Sequence, residues 1–427
     1  MSEVKGRGTY MNVSRDRLSV IGKLIGIYRE ERRNNTQNGF TLKKFCEGIC
    51  SINTLKRIEA GGLSRSEDVY IELLGKLDLK FGEFPVIDEA LNKLGMSIYN
   101  AIEFYDREAV LLYIEKSKRV LSKVKNYIYY SEIYYVLDDL YEYYSEDTQI
   151  HNKNLKRYLS FIGSGIFNID DILKLLIYSK SSTYCILDIE NYTKLVNSIN
   201  LYNVNIHCLK INLIHYYLSK GDFINMNKII DELEEIFISE NNKIRLLDLL
   251  NCRVSLNSYN NKVILDDVIE HIEKLLETYN FPDIKLSETY SNIGSAFHNE
   301  RNYRLSLKYY MKSLKYYRDN YLPTLLYMAD CQNRLGLEIN IPILDEKELS
   351  FYPIEMIKMY KYFTLANDIP AFVKQNYIMK QILPYLENEV NIEIFKFELG
   401  RLVDITGQYK KFLTFEREIQ KKLSLMS

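Results

Sequence analysis

Residues 41–61 read TLKKFCEGICSINTLKRIEAG, and the punctuation of this stretch decides how the N-terminal part of the chain folds. Thr41 is a good N-cap, because its hydroxyl can accept from an early free amide of a helix that buries Leu42 and Phe45. Gly48 permits a tight turn. Ser51 then caps a second helix running to about Ala60, which Gly61-Gly62 ends. On that helix Ile52, Leu55 and Ile58 share one face and are assigned to the core. The opposite face presents Asn53, Thr54, Lys56 and Arg57 outward.

Working outward, a preceding helix is expected from Asp16 to Arg33, with Leu18, Ile21, Leu24, Ile25 and Tyr28 as its apolar stripe. The turn-rich NNTQNG, residues 34–39, connects it to Thr41. A further helix is expected from Ser66 to Leu77, burying Val69, Leu73, Leu74 and Leu77. Residues 1–14 are a short polar, Gly-containing tail, and the head is assigned to 15–84. Asn can read adenine in a major groove, and Lys or Arg can read guanine or hold phosphate. The expected DNA-contacting set is therefore Thr41, Lys43, Ser51, Asn53, Thr54, Lys56 and Arg57. Charge agrees with this. Residues 1–80 hold 15 Lys and Arg against 10 Asp and Glu, while the rest holds 41 against 47. A basic head on an acidic body fits a molecule whose head alone meets phosphates.

The segment resembles the phage-repressor class of helix-turn-helix, in the variant carried by peptide-responsive regulators of Gram-positive bacteria (the Rgg, NprR, PlcR and PrgX group). Ile49-Cys50 before the second helix and Arg57-Ile58-Glu59-Ala60-Gly61 at its close carry the likeness. Arg29, in YREER, matches an arginine that in this class pairs with the glutamate at Glu59. Leu42 departs from the pattern, standing where the class usually has a DNA-contacting Gln. The resemblance implies a homodimer, double-stranded operator DNA and a short signalling peptide as ligand.

The body, 85–427, is expected to be helical throughout. No proline falls between Pro85 and Pro282, and strand-like alternation is absent. Residues 287–320, SETYSNIGSAFHNERNYRLSLKYYMKSLKYYRDN, match a tetratricopeptide unit. Tyr290, Ile293, Gly294 and Phe297 fill its first helix; Ser306, Tyr310 and Ser313 fill its second. Weaker units are expected at 207–240, at 322–355 and around the Gly407-Gln408-Tyr409 turn. Segments 95–125, 127–160 and 245–278 are helical pairs without a clear register. Stacked units make a superhelix whose concave face suits an extended peptide. Inner positions of the first helices yield His215, His298, Asn299, Asp330, Asn333, Arg334, Arg401 and Asp404 as expected peptide-binding residues. Asn299 and Asn333 are candidates for gripping a peptide backbone, and Arg334 or Arg401 for a carboxylate.

Other chemistry finds little support. There is no phosphate-loop, dinucleotide, HExxH or nucleophile-elbow motif, so no enzyme and no cofactor is expected. Cys46 and Cys50 lie four apart without a second ligand pair, and all six cysteines are read as reduced thiols. The tyrosine-dense YYSEIYYVLDDLYEYY, 129–144, carries acidic residues and is assigned to packing. No run approaches the ~20 apolar residues of a membrane span, so no membrane partner is expected and cytoplasm is the expected compartment. The expected whole is an all-α chain, a helix-turn-helix head followed by a tetratricopeptide superhelix, acting as a peptide-responsive regulator. The alternatives are a repeat-domain adaptor or inhibitor acting on a regulatory protein of the sporulation phosphorelay, and a phage lysis–lysogeny peptide receptor.

Overall fold

The computed structural model describes residues 13–35, 39–64, 66–146, 148–162, 169–185, 189–260, 262–316, 322–350, 352–365 and 369–426. Most of the N-terminal tail and the centre of NNTQNG lie outside them. Among the described residues the chain is all-α, with no strand. It divides into two compact units, Met1–Arg245 and Leu246–Ser427.

The first unit opens with α1 (Arg15–Asn35), α2 (Leu42–Cys46), α3 (Ile52–Glu59) and α4 (Asp68–Gly75). Thr41 caps α2, accepting from the Lys44 amide, and Ser51 caps α3, accepting from the Thr54 amide at 3.1 Å. Gly48 sits at φ +80° between them, a conformation L side chains resist. Leu55 and Ile58 are fully buried. Ile52 is not. It is 39% exposed, because Cα–Cβ bonds tilt toward the helix N-terminus and a first-turn side chain projects back past the end. Two glycines one turn apart, Gly22 and Gly26, let α1 approach α3. A Cβ on Gly22 would strike the Ile58 carbonyl, and one on Gly26 would lie 3.1 Å from the Glu59 side chain.

The unit continues through α5 (Pro85–Glu103), α6 (Arg107–Leu121), α7 (Ile128–Glu146), α8 (Asn152–Phe161), α9 (Asp170–Cys185), α10 (Ile189–Ser198), α11 (His207–Lys220) and α12 (Phe223–Ser239). The head, expected to end at residue 84, is fastened to these helices. Arg17 donates to the Tyr130 hydroxyl at 3.0 Å and to Asp88 at 2.9 Å, with its guanidinium 4.2 Å from the Tyr129 ring centre. The Tyr28 hydroxyl donates to Glu132 at 3.1 Å, and Arg157 of α8 ties Glu31 of α1 (2.7 Å) to the same buried Glu132. Lys80 and Tyr127 add a backbone bridge. In 129–144, Tyr129 and Tyr130 are buried, and Tyr134, Tyr141, Tyr143 and Tyr144 pack against the core.

After α13 (Lys243–Asn260), which carries the chain across the division, the second unit holds α14 (Lys262–Thr278), α15 (Asp283–Asn299), α16 (Tyr303–Tyr316), α17 (Leu322–Arg334), α18 (Glu346–Leu349), α19 (Ile354–Phe363), α20 (Ala371–Tyr377), α21 (Glu389–Thr406) and α22 (Tyr409–Met426). Helices α15 and α16 are antiparallel: Ser313 donates to the Ser287 carbonyl and Ser306 to the Gly294 carbonyl, each at 2.8 Å. A Cβ on Gly294 would lie 2.7 Å from the Tyr310 ring, so only glycine admits that ring. The 207–240 hairpin is α11–α12 and the C-terminal one is α21–α22, each turned by a glycine in the left-handed region, Gly221 (φ +67°) and Gly407 (φ +72°). The pair expected at 322–355 differs. Its first helix is α17, but residues 337–345, with Pro342 among them, form no regular element, and only the four-residue α18 forms before Pro353 starts α19.

Candidate nucleic-acid interface and a polar cleft

The inner side of α3 is fixed and its outer side is bare. Arg29, itself only 2% exposed, reaches from α1 to Glu59 in the last turn of α3, with Nε donating to Oε1 at 2.6 Å and Nη2 to Oε2 at 2.8 Å. Its remaining arm donates to the Phe40 carbonyl at 3.2 Å, just before the cap of α2. One guanidinium thus holds three parts of the motif. Burial disfavours its charge, but the bonds and charge of Glu59 outweigh that and lift its pKa above the ordinary arginine value.

Facing away are Ser51, Asn53, Lys56 and Arg57, all exposed, with Thr54 half-buried because its hydroxyl leans on Ser51 Oγ at 3.0 Å. Thr41 and Lys43 are exposed at the start of α2. Six of the seven expected DNA-contacting residues are therefore exposed on α2, α3 or their caps, and Thr54 is half-buried. Much of the head's basic surplus is spent internally. Arg17, Arg29, Arg32 and Arg33 all make ion pairs, with Asp88, Glu59, Asp78 and Glu30 among their partners. Lys43, Lys44, Lys56 and Arg57, on α2 and α3, make none among the described residues, and neither do Arg15, Lys23, Lys76 and Lys80 elsewhere in the head. Cys46 is buried and Cys50 half-buried, both free thiols, and burial pushes the Cys50 thiol pKa up. The side chain of Cys185 lies outside the described residues.

Of the eight residues expected to bind a peptide, His215 is on α11 of the first unit and exposed. The other seven are in the second unit, where His298, Asn299, Arg334, Arg401 and Asp404 line one cleft of about 760 Å³. Asp330 and Asn333 are not on its surface. Asp330, fully buried, accepts from Arg334 Nε at 2.8 Å and bonds His298 Nε2 at 2.7 Å. Asn333 is buried too, its amide donating to Glu398 at 2.8 Å, so it does not grip a peptide backbone in this arrangement. Asp330 faces α15 through His298, and Asn333 faces α21 through Glu398. Neither arginine is idle. Arg334 lies 4.3 Å from the Phe397 ring centre, and Arg401 donates to both oxygens of Glu398 at 2.8 and 2.9 Å. A guanidinium has five N–H donors, so Arg401 retains three for a ligand.

Sequence reading missed Glu398. It is 2% exposed and accepts from Asn333, Arg401 and the Tyr362 hydroxyl, organising the cleft wall from beneath. Its helical offset from Arg401 was legible; its distant partners on α17 and α19 were not. No helix among the described residues is long and apolar enough to cross a membrane. Comparison with protein-family models, with curated proteins and with solved structures returned no match.

Proposed function

We propose that this protein is a cytoplasmic, DNA-binding transcription regulator whose helical body is a tetratricopeptide-type sensor for a short signalling peptide, working as a homodimer. The reading rests on one observation above all: α3 is locked to α1 on its inner side and offers Asn53, Lys56 and Arg57, exposed and without an ion pair among the described residues. Those residue types at those positions can read base edges and hold phosphates. A single head would cover too few base pairs for useful specificity, which favours two heads on successive turns of duplex. The cleft lined by His298, Asn299, Arg334, Arg401 and Asp404 supplies the polar partners an extended peptide would need. Since α1 is fastened to α7 and α8, movement within the first unit would carry α3 with it. A peptide would then alter operator affinity by as much as it binds one arrangement better than the other. The test is titration of the full chain against duplex from its own promoter region at several salt concentrations. Binding whose logarithm falls linearly with that of salt is expected; no binding at low salt would sink the reading.

A second reading is an adaptor that binds a regulatory protein partner. It is favoured by Ile405, Tyr409 and Leu413, which stand 60–65% exposed together on the α21–α22 hairpin. An adaptor would keep its partner when Lys56 and Arg57 are removed.

A further inference from the structure

A second cleft lies in the first unit, where the body meets the back end of α3. It measures about 720 Å³ and is lined by Lys23 and Asn34 of α1, Ala60 after α3, and Lys153, Lys156 and Arg157 of α8. The acids on its wall are spoken for. Glu59 is held by Arg29, Glu30 by Arg29 and Arg33, and Glu31 by Arg157. The cations are not balanced in return: Lys23, Lys153 and Lys156 make no ion pair among the described residues. Lys153 and Lys156 are exposed, one helical turn apart, and share a face with Arg157, whose bonds to Glu31 and Glu132 fix that face toward the head. Five cations against three carboxylates leave the lining with a surplus of two positive charges, and the cleft reaches Ala60 at the end of α3.

We propose that α8 is a second DNA-contacting element: Lys153 and Lys156, with Lys23, hold the sugar–phosphate backbone of the duplex beside the segment read by α3. The inference rests on the DNA-binding reading and deepens it. Lysines without planar hydrogen-bonding partners act as point charges, which suits phosphate positioning rather than base reading. It makes the body part of the interface, and it explains why α8 is tied so firmly to α1: the two phosphate-holding surfaces keep one spacing.

The experiment compares wild type with Lys153→Gln/Lys156→Gln and Lys56→Ala/Arg57→Ala variants of the full chain, using a random-sequence 40-base-pair duplex as probe across a salt series. Both Gln positions are exposed and without an ion pair among the described residues, so an unchanged melting temperature is expected and is measured alongside. Each phosphate contact contributes about 0.9 to the slope of log K against log salt. The Lys153/Lys156 variant should lose about 1.8 of slope and on the order of tenfold in affinity at 0.1 M salt, equally for all sequences. An unchanged slope in that variant, with binding lost in the Lys56/Arg57 variant, overturns this inference and leaves the functional reading intact. Failure of wild type to bind duplex at all overturns both. Tight binding of inorganic phosphate that the Gln pair abolishes, with duplex affinity unaffected, would assign the cleft to a small anion and also overturn it.

Discussion

Arg29 and Glu59 close a two-pronged ion pair at 2.6 and 2.8 Å that joins the middle of α1 to the final turn of α3. Neither residue faces the outer surface of α3, yet the pair sets the angle at which that surface is shown. Removing Arg29 leaves Glu59 nearly buried and unmatched, which costs about 3 kcal/mol, whereas removing Glu59 leaves Arg29 with Glu30 at 2.8 Å and should cost less. Arg29→Met and Glu59→Leu should therefore each lower the melting temperature of the first unit, while the double substitution, which strands no charge, should recover part of the loss. A double-mutant cycle read by thermal unfolding checks this; strictly additive losses would show the pair to be uncoupled.

Lys56 and Arg57 should behave in the opposite way. Both are exposed and hold no ion pair among the described residues, so alanine at either position should leave the folding stability within about 0.5 kcal/mol of wild type. Affinity for a selected operator should fall by about 1–3 kcal/mol if the side chain touches base edges, with relaxed sequence preference. Selection from a random duplex library, followed by competition binding, measures both quantities.

Gly294 is a steric prediction. Alanine there would bring a Cβ to 2.7 Å from the Tyr310 ring, and that ring is fully buried with no room to retreat. Forcing α15 and α16 apart should destabilise the second unit by about 1–3 kcal/mol. Near-ultraviolet circular dichroism should register the displaced tyrosine. Gly400, whose added Cβ would meet Phe412 only at an ordinary 3.6 Å, is the control expected to tolerate alanine.

Glu103, at the end of α5, is buried and accepts the Cys208 amide at 3.0 and 3.2 Å, capping α11. Burial raises its pKa to about 7, against the opposing pull of the Cys208 amide and of Arg245. A folded-state pKa above that of the unfolded chain means the native state retains a proton the unfolded state gives up. Its contribution is therefore complete below the ordinary glutamate range, about 4.3, and disappears as pH climbs through 7. Urea midpoints should fall over that interval, and Glu103→Gln should flatten the decline. A slope that survives in the glutamine variant would place its origin elsewhere.

Local punctuation carried most of what could be read in advance. Thr41, Gly48 and Ser51 mark their own ends and turn because capping and positive φ are satisfied within a few residues, and the α15–α16 hairpin announces itself through the size pattern of Gly294 and Tyr310. The misjudged positions share a cause. Ile52 has the right residue type at a helical spacing but stands where side chains point past the helix end, and the stretch around Pro342 forms no regular element where a helix was expected.

The amino-acid order alone determined an all-helical chain, the limits of α2 and α3, and which α3 residues carry charge, because each follows from interactions between residues close along the backbone. Only the tertiary structure decided that Asp330 and Asn333 are interior, that Glu398 joins side chains of α17 and α19 to its own helix, and that α8 packs on α1 and shares a cleft with the end of α3. Those facts depend on packing between segments tens to hundreds of residues apart, and nothing in the spacing of neighbours records which helix will cover which face.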